Sequence, residues 1–207
     1  MPRLTRLTML VFITCSCLLV AGGTLLFFFV LNPGGDGRPA SEGLPAQTDG
    51  DGNGRNQYFS SVKGYAIAVP SDWTETPNSI ELGGASVDVF YSLRPTGRPG
   101  VAPTFSVSSE SLPPKTTSRD YLESKLEFLG SVGAEFAAPA AVEVGGVEGY
   151  LVDYSGYSRT YSVDSTSIVV VTGQQGWEFV LTVPAGERSR YRPLLASILA
   201  SVRFPSN

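Results

Sequence analysis

Apolar and polar positions divide the chain into three textures. From Leu7 to Leu31 there are 25 residues without a charge, and only Thr and Ser supply conventional polar side chains. Residues 32–57, "NPGGDGRPASEGLPAQTDGDGNGRNQ", invert that pattern, with seven Gly, three Pro and almost nothing apolar. From Tyr58 onward apolar residues recur at every second position, the period of strands with one face buried. "YFSSVKGYAIAVP" predicts a hairpin from Tyr58–Val62 and Tyr65–Val69 about a Lys63-Gly64 turn, with Tyr65, Ile67 and Val69 on one face and Pro70 ending it. Further strands are predicted in "SVDVFYSL", with Val87, Val89, Tyr91 and Leu93 on one face, and in "TFSVSSE", "AAVEV", "EGYLVDYS", "YSVDSTSIVVVT" and "WEFVLTVP". Turn signals separate them at Gly145-Gly146 and at "GQQG", residues 173–176.

Two segments change period. In "TSRDYLESKLEFLGS", Thr117 or Ser118 can cap a helix, Leu122, Leu126 and Leu129 share a face, and Gly130 fits the exit. In "GERSRYRPLLASILASVRF", Tyr191, Leu194, Leu195, Ile198 and Leu199 form an apolar face, with Pro193 expected in the first turn, where its missing N–H costs no bond. The chain closes on an apolar tail, Val202 to Phe204. About six to eight strands in a mostly antiparallel sheet, with helices packed on it, make an α+β domain over residues 58–205.

The apolar run is long enough to matter physically. As a helix its 25 residues reach about 37 Å, against a bilayer core of roughly 30 Å. Arg3 and Arg6 precede it and the first charge after it is Asp36, so residues 1–6 are expected in the cytoplasm, 7–31 as a signal anchor, and the remainder outside. The alternative is a signal peptide cleaved near Val20-Ala21-Gly22, giving a secreted protein, although "TLLFFFVL" would then open the mature chain. Cys15 and Cys17 sit inside this run and read as small apolar residues of a membrane helix. Residues 32–57 cannot bury enough surface to fold and read as a flexible tether, with a root-mean-square reach of about 26 to 31 Å.

Several local phrases resemble the PsbP-like superfamily, which includes DcrB-like and LpqN-like envelope proteins. They are the aromatic strand running into a Pro-x-x-Trp turn in "GYAIAVPSDW", the helix after "LPPKTTSRDYL", the Gly-Gly turn feeding a long strand in "VEVGGVEGYLVDYS", and the closing "LLASILASVRF". The resemblance covers most of residues 58–205 and implies an α/β/α sandwich around an antiparallel sheet. Members of that superfamily are mainly accessory or partner-binding domains. No metal or photosystem-binding residues carry over, because the histidines those sites often draw on are absent from this chain.

Composition narrows the chemistry. There is no histidine, which removes the commonest general base and every imidazole metal site. With both cysteines in the apolar run, the domain has no disulfide and no thiolate nucleophile. Beyond residue 31 the chain carries 13 bases and 19 acids, 13 − 19 = −6, which argues against nucleic acid as a partner. "DGDGNG", residues 49–54, matches the first half of a calcium loop, but its twelfth position is Ser60 rather than Glu, and Pro45 and the strand at Tyr58 exclude flanking helices. No metal and no cofactor is therefore expected. Ser60 and Lys63 have Ser-x-x-Lys spacing across a predicted hairpin, which points them to opposite faces.

Glu110, Glu143, Glu148, Asp153, Asp164 and Glu178 are scattered, with no spacing that forces a catalytic pair. Tyr150, Tyr154, Tyr157 and Tyr161 fall within twelve residues; Tyr150 and Tyr154 share a face with Val152 and read as core. That leaves Tyr157, Arg159 and Tyr161, near the bend, as candidate contacts with a partner, since tyrosine buries area while keeping a polar tip. Trp73 and Trp177 read as core or edge cover. The expected function is that of a single-pass, membrane-anchored extracytoplasmic domain engaging a protein or another envelope component, and not an enzyme. An extracytoplasmic carboxylate-dependent hydrolase and an accessory subunit of a photosynthetic complex are the alternatives.

Overall fold

The computed structural model describes residues 55–60, 64–75, 80–82, 85–92, 102–156 and 162–204. The expected anchor, the "DGDGNG" run, and Tyr157, Arg159 and Tyr161 lie outside the described residues. Among those described, no helix is long and apolar enough to cross a membrane.

The first hairpin is displaced from its apolar residues. Strand β1 (Arg55–Ser60) runs antiparallel to β2 (Tyr65–Pro70), with Arg55 opposite Pro70 and Ser60, not Val62, opposite Tyr65. Ladders join N–H and C=O groups whatever the side chain, which is why Arg55, Asn56 and Gln57 pair despite their polarity.

The main sheet is antiparallel throughout. Its centre is β5 (Ala85–Ser92), β6 (Thr104–Ser111), β11 (Gln175–Pro184), β10 (Val163–Thr172) and β9 (Val147–Ser155), in that spatial order. β3 (Trp73–Glu75) and β4 (Ile80–Leu82) line the outer edge of β5, while β7 (Glu135–Phe136) and β8 (Ala140–Val144) line that of β9. The eight strands visible in the alternation are β1, β2, β5, β6 and β8 to β11. The other three are only two or three residues long, too short to show a period.

Strand β10 divides the two helices of the described residues between the faces. Ile168 and Val170 share a core with Leu195, Ile198 and Leu199 of α2 (Arg188–Ser201). The intervening Val169 and Val171 share one with Tyr121 and Leu122 of α1 (Ser118–Ser131). Successive strand residues point to opposite faces, so the helices cover opposite sides of an α+β domain. The β1–β2 hairpin lies on the α2 side. Its Tyr65 packs edge-on to Trp177 at 5.6 Å, and Ala66 bridges Arg203 in the tail. Tail residue Val202 is buried, and Phe204 packs on Trp177 and Phe179.

In β5 the expected inner face is corrected. Val87, Val89 and Tyr91 are only half-buried, and it is Asp88 and Phe90 that lie buried under the hairpin, while Leu93 falls outside the described residues. Tyr65 donates its hydroxyl to Asp88 at 2.6 Å, and Tyr58 meets Phe90 edge-on at 4.9 Å. Alternation distinguishes two faces; which one is covered depends on the hairpin folding back. A tyrosine hydroxyl there lets a carboxylate occupy the core side.

The cap of α1 falls where the sequence placed it, while its exit and the start of α2 depart from expectation. Thr117 caps α1 through a reciprocal box with Asp120, Thr117 N–H donating to Oδ2 at 2.8 Å and Asp120 N–H to Oγ1 at 3.2 Å. The helix continues through Gly130 and exits at Gly133, φ +76°, where Gly133 N–H donates to Gly130 O and Ala134 N–H to Leu129 O. Only a residue free to take positive φ closes such an end cheaply. Helix α2 begins at Arg188, earlier than Pro193 suggested, so Pro193 falls in its second turn. Its absent N–H removes one helical bond to the Ser189 carbonyl, a tolerable loss where both residues are exposed.

Candidate functional site

The six acids scattered along the sequence come together as three pairs. On the α1 face, Ser108 of β6 lies opposite Glu178 of β11, and Glu110 lies two residues along, on the same side. Lys125 of α1 reaches both carboxylates, at 3.0 Å from Glu110 and 3.2 Å from Glu178, and all three side chains are less than a fifth exposed. Tyr121, one helical turn earlier, donates to Glu110 at 2.7 Å and holds its ring 4.8 Å from the Lys125 ammonium. Ser167 donates to Glu178 at 2.8 Å. Burial by itself would lower the Lys125 pKa, but Glu178, Tyr121 and Glu110 together carry it well above the ordinary lysine value. Burial, followed by the two glutamates, pushes the Tyr121 phenol up against the opposing effect of Lys125.

The second pair lies on the α2 face. Arg188 sits between Asp153 of β9 (Nε to Oδ1 3.7 Å) and Asp164 of β10 (Nη2 to Oδ1 3.4 Å), and donates from Nη2 to the Tyr154 carbonyl at 2.8 Å. Arg192, one turn on, also pairs with Asp153, and Thr166 donates to the same carboxylate at 2.6 Å. Gly186 N–H donates to Asp164 at 2.9 Å, while Arg188 Nε is buried without a hydrogen bond. These contacts tie the first turns of α2 to the two strands that residues 156–162 connect, the segment carrying Tyr157, Arg159 and Tyr161.

The third pair differs. Glu143 of β8 and Glu148 of β9 stand directly opposite one another, both exposed, with the Tyr150 hydroxyl 3.5 Å from Glu148. Among the described residues no cation pairs with either.

This arrangement bears on chemistry. A carboxylate pair that cleaves a bond needs the substrate between its members. In the first two pairs that space holds the Lys125 ammonium or the Arg188 guanidinium. Among the described residues no three acids, histidines or cysteines converge as metal ligands. Tyr154 is buried against Leu129 and Ala134, and Tyr150 packs at the α1 core, as their shared face with Val152 implies. Trp177 belongs to the core on the α2 side, and Trp73 packs half-buried against that core. Sequence reasoning missed Lys125. Its signal was a lysine on the apolar side of α1, four residues after Tyr121 and three after Leu122, a place that demands a buried acid partner.

No protein-family model matches the chain, and no curated protein matches it either. Solved structures do. Cyanobacterial PsbP (CyanoP) from a Synechocystis species matches with a TM-score of 0.52 at 18% identity, over 81% of this chain and 98% of that one. LpqN of Mycobacterium tuberculosis, involved in cell envelope biogenesis, matches with a TM-score of 0.51 at 15% identity, over 73% of this chain and 91% of that one. A Bacteroides thetaiotaomicron protein matches with a TM-score of 0.50 at 18% identity over 73% of this chain, which spans about half, 48%, of that protein. The domain has a PsbP-like and LpqN-like fold.

Proposed function

We propose that the chain is a single-pass, membrane-anchored extracytoplasmic domain that works by contact, engaging a protein or another envelope component, without catalysis of its own. One observation carries this reading: where described acids converge on the helices, cations lock them into struts between helix and sheet. A fold braced in this way presents surface rather than a reactive cleft. The fold shared with LpqN supports an envelope setting, and the uncharged run 7–31 behind Arg3 and Arg6 supports the anchor. Tyr157, Arg159 and Tyr161, whose connection leaves and re-enters the strands braced by Arg188, are the proposed contact residues.

The test is photocrosslinking of the full-length chain in its native cells, with a photoreactive residue at Tyr157 or Tyr161 and a carbonate wash of the membranes. The expected outcome is a discrete adduct at the bend and a chain retained in the washed membranes. A shortened chain released by the wash would mean that the apolar run is cleaved. Absence of an adduct at every surface position tried would overturn the contact reading.

A further inference from the structure

The uncompensated acid pair lies at the edge of the main sheet that β8 forms against β9. Strands β8 and β9 are joined by Gly145-Gly146, both at positive φ, +58° and +82°, with Val144 opposite Val147. In a hairpin closed by two residues, the flanking pair exchanges both hydrogen bonds and bonded pairs then alternate. Val144–Val147, Val142–Gly149 and Ala140–Leu151 are therefore bonded, whereas Glu143–Glu148 and Ala141–Tyr150 are not. The N–H and C=O groups of Ala141 and Glu143 accordingly point away from β9 to the open edge. No other described residue bonds to them.

Upstream, the register slips by one. Ala137 N–H donates to Asp153 O while Ala140 pairs with Leu151, so Ala138 and Pro139 together face Val152 as a bulge. Pro139 has no N–H to offer, which confines the usable edge to residues 140–144. On one face of that edge stand Ala141 and Glu143, both exposed, with Tyr150 and Glu148 behind them. Like charges directly opposite destabilise a strand pair, and a cation on the next strand would sit within reach of both.

We infer that this edge receives an extended segment of another protein as an added strand, with a Lys or Arg facing the Glu143–Glu148 pair and a small or β-branched apolar residue facing Ala141. Backbone bonds to Ala141 and Glu143 supply attachment, and the acid pair supplies selection. A second copy of this chain fits poorly, because two such edges would gather four carboxylates, two from each copy, on one face of a short ladder. The inference rests on the reading of the chain as a partner-binding domain.

The experiment uses the full-length chain in detergent micelles and two fluorescent peptides of alternating threonine and valine, one with a central lysine and the other with a central glutamate. The lysine peptide is expected to bind saturably and about tenfold more tightly than the glutamate peptide. Glu143→Lys, an exposed change, should invert that preference. Ala141→Pro, which removes an outward N–H and leaves the β8–β9 bonds in place, should abolish binding with an unchanged circular-dichroism spectrum. The amides of Ala141 and Glu143 should gain exchange protection with the lysine peptide. Equal affinity for both peptides, indifference to Ala141→Pro, or an edge blocked by self-association would each overturn the inference. If neither peptide binds while cellular adducts at the bend persist, the edge proposal fails and the accessory reading stands; peptide binding without any cellular adduct would reverse that judgement.

Discussion

Lys125 extends from α1 between Glu110 and Glu178, with the Tyr121 ring beneath its ammonium. Removing one partner of a buried ion pair leaves the others uncompensated, a larger penalty than the pair's net worth. Lys125→Met should therefore cost about 3 kcal/mol in urea unfolding. Adding Glu110→Gln and Glu178→Gln should recover most of it, and no recovery would mean that the lysine acts through its stem alone. The helix spacing puts Lys125 on the same side as Tyr121 and Leu122, so its burial was legible in the sequence. Its partners were not, since residues 110 and 178 become neighbours only through the pairing of β6 with β11. Asp88 makes the same point: its alternation suits a solvent face, and a tyrosine 23 residues earlier brings it inside.

Among elements, the β8–β9 hairpin was the clearest in advance, because Gly145-Gly146 between alternating apolar residues specifies a two-residue turn. A third glycine, Gly149, carries a constraint that alternation does not reveal. A Cβ there would lie 2.5 Å from the Val169 carbonyl and 2.7 Å from a Val170 methyl, so Gly149 lets β9 approach β10 closely. Gly149→Ala should cost about 1–3 kcal/mol in thermal unfolding. A neutral result would show that the two strands separate freely. In α1 the start was more legible than the stop. Thr117 and Asp120 form a local box within four residues, whereas the end of α1 passed over Gly130 to Gly133, where the turn toward β7 required positive φ. Strands β3, β4 and β7 left no pattern, because two or three residues cannot show a period.

At the scale of the whole molecule, three protonated groups couple stability to pH in the same direction. Burial, and then the charge of Asp88, raises the Tyr65 phenol far above its ordinary value; burial raises that of Tyr121; and Lys125 is raised by its glutamates in spite of burial. Each folded pKa exceeds its unfolded value, so the stability these groups contribute is intact below pH about 10 and is lost as pH rises through the folded values. The melting temperature should fall above about pH 10, with phenolate absorbance from Tyr65 and Tyr121 appearing only as the chain unfolds. Ionisation of these two tyrosines while the circular-dichroism spectrum stays native would contradict their burial. By itself the sequence determined what depends on neighbours in the chain: eight strands by their alternation, two helices by their apolar faces, the Gly-Gly turn and the Thr117 cap. Only the tertiary structure decided which face of β5 is inside, that six scattered acids form three pairs, and that two of those pairs hold cations while the third faces an open edge. The physical reason is that period and cap are properties of local backbone geometry, whereas burial and charge pairing depend on strands brought together across long stretches of chain.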